Sequence, residues 1–115
     1  MDAARFARIK AAFERNGGVI DQSDEAQRLL KYHEAEAATL NAKTIVLKPN
    51  PTRAAIFEEL IHTAQYRTGR ATGANIIKME IEAAKKLLRF AKRYELNKED
   101  TEAIQSRLNR LLMIT

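Results

Sequence analysis

The residues best suited to chemistry lie in Glu58-Glu59-Leu60-Ile61-His62-Thr63-Ala64-Gln65. In a helix, where successive residues turn by about 100°, Glu58, His62 and Gln65 fall within about 60° of one another. They form a polar ridge beside the apolar face of Phe57, Leu60, Ile61 and Ala64. A carboxylate and an imidazole at i and i+4 project from the same side of one rod, so both can reach a single divalent ion. Glu59 is turned about 100° further, where it can hold a water on such an ion. A metal site with an open position needs a third protein ligand, and it should come from another element. Glu80 is the candidate: Ile76, Ile77, Met79, Ala84, Leu87, Leu88 and Ala91 define a broad apolar face with Glu80 at its middle. An unpaired carboxylate there costs several kcal/mol, so something should compensate it. If segments 51–67 and 74–94 pair antiparallel, a residue at 62 is level with one at 80–82, and Glu80 faces His62. Glu82 has the same height but sits among Lys78, Lys85 and Arg89, which ranks it second as a third ligand. The plainer outcome is a Glu80–His62 or Glu80–Arg ion pair that specifies packing without chemistry.

The elements that must position these residues follow from periodicity and punctuation. Phe6, Ile9, Ala12 and Phe13 repeat at helical spacing over 3–16, and Gly17-Gly18 closes that helix. After a short Gly-Val-Ile stretch, Asp21-Gln22-Ser23-Asp24 offers capping oxygens to a second helix over about 24–33. Residues 38–48 are β-branched around a polar break at Asn41 to Lys43, which predicts a short hairpin. Asn50-Pro51 predicts the start of the motif helix, running to about Arg67. The stretch from Thr68 to Gly73 breaks it, Ala74 to Tyr94 forms a long fourth helix, and Asn97 caps a last one. The expectation is a single domain over 1–115 of α+β class: mostly helical, with a short β-hairpin preceding an antiparallel pair of long helices.

Glu58-Glu59-x-x-His62 resembles the H-E-x-x-H motif of small zincin metallopeptidases, and Glu80-Ile81-Glu82-Ala83 is similar to the downstream E-x-E-A signature of the ImmA/IrrE-type members. The order hairpin, motif helix, second-ligand helix is also theirs. The wider string from Phe13-Glu14-Arg15 through Gly18-Val19-Ile20-Asp21-Gln22-Ser23-Asp24 to His62 resembles uncharacterised domains at the C-termini of bacterial polymorphic toxins and in phage-head-associated proteins. The first resemblance implies a minimal zincin-like fold and hydrolysis of a peptide bond in a protein or peptide substrate. By its roles Glu58 is the first ligand, His62 the second, Glu80 or Glu82 the third, and Glu59 the base. The second implies a toxin or phage-associated effector with an immunity protein as partner. Its location would be the bacterial cytoplasm, or a larger secreted or phage-packaged protein. One departure matters: Glu58 stands where the motif has its first His. Two carboxylates and one imidazole make a harder, more anionic set, so zinc is the expected ion but manganese and iron stay open. The same set lowers the Lewis acidity of the ion.

Other chemistries find less support. Glu59-x-x-His62 also reads as the E-x-x-H of di-iron bundles, which need a second such motif, and the hairpin interrupts the required helix pair. His33-Glu34 has Ala37 where a second His would stand and reads as a helix-end surface pair. The 115 residues contain no Cys, which excludes disulfide scaffolds, thiolate zinc fingers and cysteine nucleophiles, and with no Trp and seven other aromatics they argue against a platform that stacks several bases. No Gly-x-Ser-x-Gly elbow or P-loop is present. No apolar run approaches a bilayer span, and the first ten residues lack the apolar segment of a signal peptide. The net charge of +5 permits an acidic partner. Lys78, Lys85, Arg89, Lys92 and Arg93 form a basic stripe on the fourth helix, expected to run about four turns. The alternative function is therefore a catalytically inactive structural or interaction domain, with nucleic acid as the partner of residues 78–93.

Overall fold

A computed structural model describes residues 2–115. Asp2 caps α1 (Ala3–Arg15) by accepting the Ala4 amide at 2.8 Å. Gly17 ends the helix at φ 85°, a left-handed turn that glycine enters without a Cβ penalty. Gly18 is needed for space, since a Cβ there would run into the Phe13 ring. The chain then enters β1 (Val19–Asp21), which the sequence had suggested only as a connecting stretch. Three residues are too few to show a period of two, and β1 is defined by a partner more than twenty residues away. Ser23 caps α2 (Asp24–Tyr32) at 3.1 Å from the Ala26 amide, and the hairpin follows as β2 (Ala37–Asn41) and β3 (Thr44–Leu47).

The sheet order is β1-β3-β2, with β3 parallel to β1 and antiparallel to β2. Central β3 is apolar in successive residues because both sheet faces are covered. Val46 packs with Ala26 and Leu30 on one side, and Ile45 and Leu47 pack with Ile20, Ile56 and α1 on the other. Strand β2 bonds only β3, so its outer edge is free.

The motif helix α3 (Arg53–Arg67) begins two residues later than Pro51, with Thr52 rather than Asn50 as its cap. The Thr52 hydroxyl accepts the Ala55 amide at 3.1 Å. A 3₁₀ turn at Gly73–Asn75 leads into α4 (Ile76–Arg89), and Asn97 caps α5 (Lys98–Ile114) through the Asp100 amide at 2.7 Å. The fourth helix is shorter than the expected 74–94. Phe90 to Tyr94 form turns, closed by Glu95 at φ 56° and by the Leu96 amide on the Ala91 carbonyl at 2.9 Å. Tyr94 then lies flat on Phe57 at 4.3 Å, and Leu96 reaches the core. The basic stripe is interrupted there, with Lys92 and Arg93 standing in the turns beyond α4.

Among the described residues the chain is α+β, five helices and one three-stranded sheet. Among these residues no helix is long and apolar enough to cross a membrane. Helix α3 ties the two halves together. Ile56 and Leu60 join the sheet core, while Ile61 joins Ala83, Ala84, Leu87, Ile104 and Leu108 of α4 and α5. With two sides spent on packing, the third, carrying Glu58, Glu59 and His62, lines the cleft between β2 and α4.

Candidate metal centre

Helices α3 and α4 meet at the site: His62 Nε2 faces Glu80, and one turn on, the Gln65 amide donates to the Met79 carbonyl at 3.0 Å. Glu58, His62 and Glu80 each offer one ligand atom, and the three atoms lie within 4.8 Å of one another. His62 Nε2 is 3.4 Å from Glu80 Oε1 and 3.9 Å from Glu58 Oε1. Two donors at about 2.1 Å from a tetrahedral ion stand about 3.4 Å apart. The His62–Glu80 distance already fits, while Glu58 must close by roughly half an ångström on His62 and draw nearer to Glu80, the three atoms being bounded at 4.8 Å. This group can hold a metal ion. Glu82 lies outside it: its carboxylate accepts from Gln65 at 3.2 Å and from Arg70 at 2.8 Å.

The imidazole is oriented from behind. Gln65, 1 % exposed, spends its amide nitrogen on the Met79 carbonyl and on Glu82. Its carbonyl oxygen therefore faces His62 Nδ1 at 2.7 Å, and that nitrogen must carry the proton. Nε2 is left pointing at the two carboxylates, the arrangement a metal-ligating histidine requires. Without an ion, burial works against a charge on His62. The neighbouring Glu58 and Gln65 and the charges of Glu80 and Glu59 outweigh that and raise its pKa to about 9.

Glu58 is shared with α5. Arg107 Nη2 lies 2.9 Å from Glu58 Oε1, and Nη1 donates to Oε2 at 3.4 Å. Burial pushes the Glu58 pKa up, but His62 and Arg107 more than offset it and hold the carboxylate below its ordinary value. Arg107 is the cation that lets two carboxylates approach one imidazole. Sequence reasoning missed it, because a lone Arg 49 residues from its partner carries no spacing signal.

Glu59 is 7 % exposed, more buried than the core-facing Glu80, whose side chain keeps 34 % of its surface open. The cause is β2, which covers α3 and puts the Thr39 hydroxyl 2.9 Å from Glu59 Oε1 and 3.1 Å from the Glu59 carbonyl oxygen. Burial raises the Glu59 pKa to about 7, helped by the Glu58 and Glu80 charges and opposed by Thr39 and His62. A carboxyl with that pKa can both take and return a proton near neutrality.

No protein family, curated protein or solved structure matches the chain. What the site can do is argued from its geometry. All four acidic and imidazole groups line one open cleft of about 530 Å³. It is lined as well by Ala37, Ala38 and Thr39 of β2 and by Tyr66, Ile76, Met79 and Arg107. Strand β2, at the edge of the sheet, leaves one row of amides and carbonyls without a strand partner.

Proposed function

We propose that the chain is a minimal zincin-like peptidase domain. Glu58, His62 and Glu80 hold a divalent ion, zinc or the harder manganese or iron, and Glu59 is the proton carrier. The observation that carries this reading is the convergence of the three ligand atoms within 4.8 Å at the wall of a cleft that also contains the buried Glu59. When bound, the ion supplies a Lewis acid for the scissile carbonyl and the attacking water. The protein's own residues do the rest. The edge of β2 aligns the substrate backbone, and the tautomer of His62 is fixed by Gln65. Glu59 accepts the proton of the attacking water and passes it to the leaving nitrogen. Arg107 keeps Glu58 ionised and in place. The resemblance to polymorphic-toxin and phage-head-associated domains supports reading the activity as that of an effector, with an immunity protein as its natural partner.

A second reading has an observation of its own. His62 with a pKa of about 9 is charged at neutral pH without any ion, and so the same cluster can serve as a buried ion pair in a catalytically silent domain. Metal analysis of protein purified without chelator separates the two. The peptidase reading expects one equivalent of ion, lost in His62→Ala. It expects Glu59→Gln to keep the ion and to lose about 100-fold or more in cleavage of an unstructured protein substrate. Protein that takes up no zinc, manganese or iron would favour the ion-pair reading.

A further inference from the structure

The nine ion pairs among the described residues use Arg5, Lys10, Lys48, Arg53, Arg70, Lys98 and Arg107, with His62, as cations. None uses Lys78, Lys85, Lys86, Arg89, Lys92 or Arg93. Six of the thirteen Lys and Arg residues outside these pairs thus fall within the short stretch 78–93. The acids of α4 do not neutralise them, because Glu80 turns to His62 and Glu82 to Arg70. At 100° per residue, Lys78, Lys85 and Arg89 lie on the opposite side of α4 from Glu80, so this surface is separate from the metal centre.

The surface is hollow rather than flat. Lys78, Lys85, Lys86 and Arg89 rim a cleft of about 500 Å³ that also holds the Arg70–Glu82 ion pair and whose apolar wall is Ile81 and Phe90. A second cleft of about 470 Å³, rimmed by Arg5 and Arg93 and walled by Phe57, Phe90 and Tyr94, shares Lys86 and Phe90 with the first. The Phe90 ring at the junction has the Arg89 guanidinium 5.4 Å from its centroid and Tyr94 at 6.1 Å. Along the helix, seven residues from Lys78 to Lys85 rise about 10 Å and four more to Arg89 about 6 Å. Spaced cations around aromatic hollows fit a chain that alternates anionic and flat apolar groups.

We propose that these adjoining clefts bind single-stranded nucleic acid, with Phe90 and Arg89 as the platform for a base and the unpaired lysines and arginines on the phosphates. Sequence-tolerant recognition of this kind combines stacking with backbone charge neutralisation. A polypeptide of acidic residues alone would satisfy the charges but has no planar side chain for the Phe90 junction. The inference does not depend on the peptidase reading.

A fluorescein-labelled 12-nucleotide oligothymidylate, followed by anisotropy against the intact chain, tests it. Four neutralised phosphates predict a roughly 50-fold loss of affinity between 0.1 and 0.4 M salt. Lys85→Glu with Arg89→Glu should abolish binding, and Phe90→Leu should weaken it about fivefold or more with the salt slope unchanged. His62→Ala should bind as the parent chain does, which keeps failure here distinct from failure of the metal site. Affinity indifferent to salt would overturn the proposal. So would parental binding by a Lys85→Glu, Arg89→Glu variant of unchanged helical content. Equal competition by polyglutamate, with no effect of Phe90→Leu, would reassign the surface to an acidic protein.

Discussion

A histidine ligand is useful only if the correct nitrogen faces the ion, and here a neutral side chain makes that choice. Gln65 carries no net charge, and its carbonyl oxygen, 2.7 Å from Nδ1, accepts the proton of that nitrogen and leaves Nε2 free. Outer partners of this kind are commonly worth 10- to 100-fold in metal affinity. Gln65→Leu should therefore weaken zinc or manganese binding by about that factor while the helical content is kept, measured by competition with a chromophoric chelator. Affinity within about threefold of the parent would show that packing alone orients the ring. Much of this site was legible residue by residue. Glu58, His62 and Gln65 share a helix face by simple periodicity, and Glu80 stands out as an acid on an apolar stripe. The burial of Glu59 was not legible, because it is imposed by Thr39 from a strand twenty residues away. Nor was Arg107, whose pairing with Glu58 depends on how α5 packs.

Elements were legible wherever their ends carry local chemistry. Ser23 and Asn97 announce the starts of α2 and α5 with short side-chain bonds to their own first turns. Helix α4 shows the limit: its apolar stripe continues through Ala91 and Tyr94, yet the helix stops at Arg89. The stacking of Tyr94 on Phe57 and the entry of Leu96 into the core decide that end. Both are tertiary. Helix α2 offers a test of end chemistry. Glu34 follows it at φ 52°, with the Ala35 amide on the Leu30 carbonyl at 2.9 Å, a left-handed cap that glycine occupies at lower cost. Glu34 is exposed and makes no side-chain bond. Relief of the left-handed strain should exceed the chain entropy lost with glycine, so Glu34→Gly should stabilise by about 0.5–1 kcal/mol. In a chain of this size that raises Tm by roughly 3 °C. Metal binding should not change, since Glu34 lines no part of the cleft. A lower Tm would mean that the turn is held by something other than backbone preference.

For the molecule as a whole, the cluster makes stability a function of both pH and metal. His62 has a folded pKa of about 9 against 6.5 when free, so its contribution is full below pH 6.5 and is lost as pH rises through about 9. Glu59, raised from 4.5 to about 7, acts in the same direction: its contribution is present below pH 4.5 and lost as pH rises through about 7. Glu58, lowered, works the other way and is lost only as pH falls below its ordinary range. The metal-free protein should thus be most stable near pH 5 and soften steadily toward pH 9. An ion reverses the trend. It needs His62 neutral at Nε2, so each proton it displaces makes its binding about tenfold tighter per pH unit below pH 9. The gap in Tm between metal-loaded and chelator-treated protein should therefore widen from pH 6 to pH 8.5, with the metal-free Tm falling over the same range. Scanning fluorimetry with manganese at fixed excess reads both curves at once. A constant gap would mean that the ion does not compete with the His62 proton and is bound elsewhere. A metal-free Tm that rises with pH would mean that the three acids do not hold the imidazole charged.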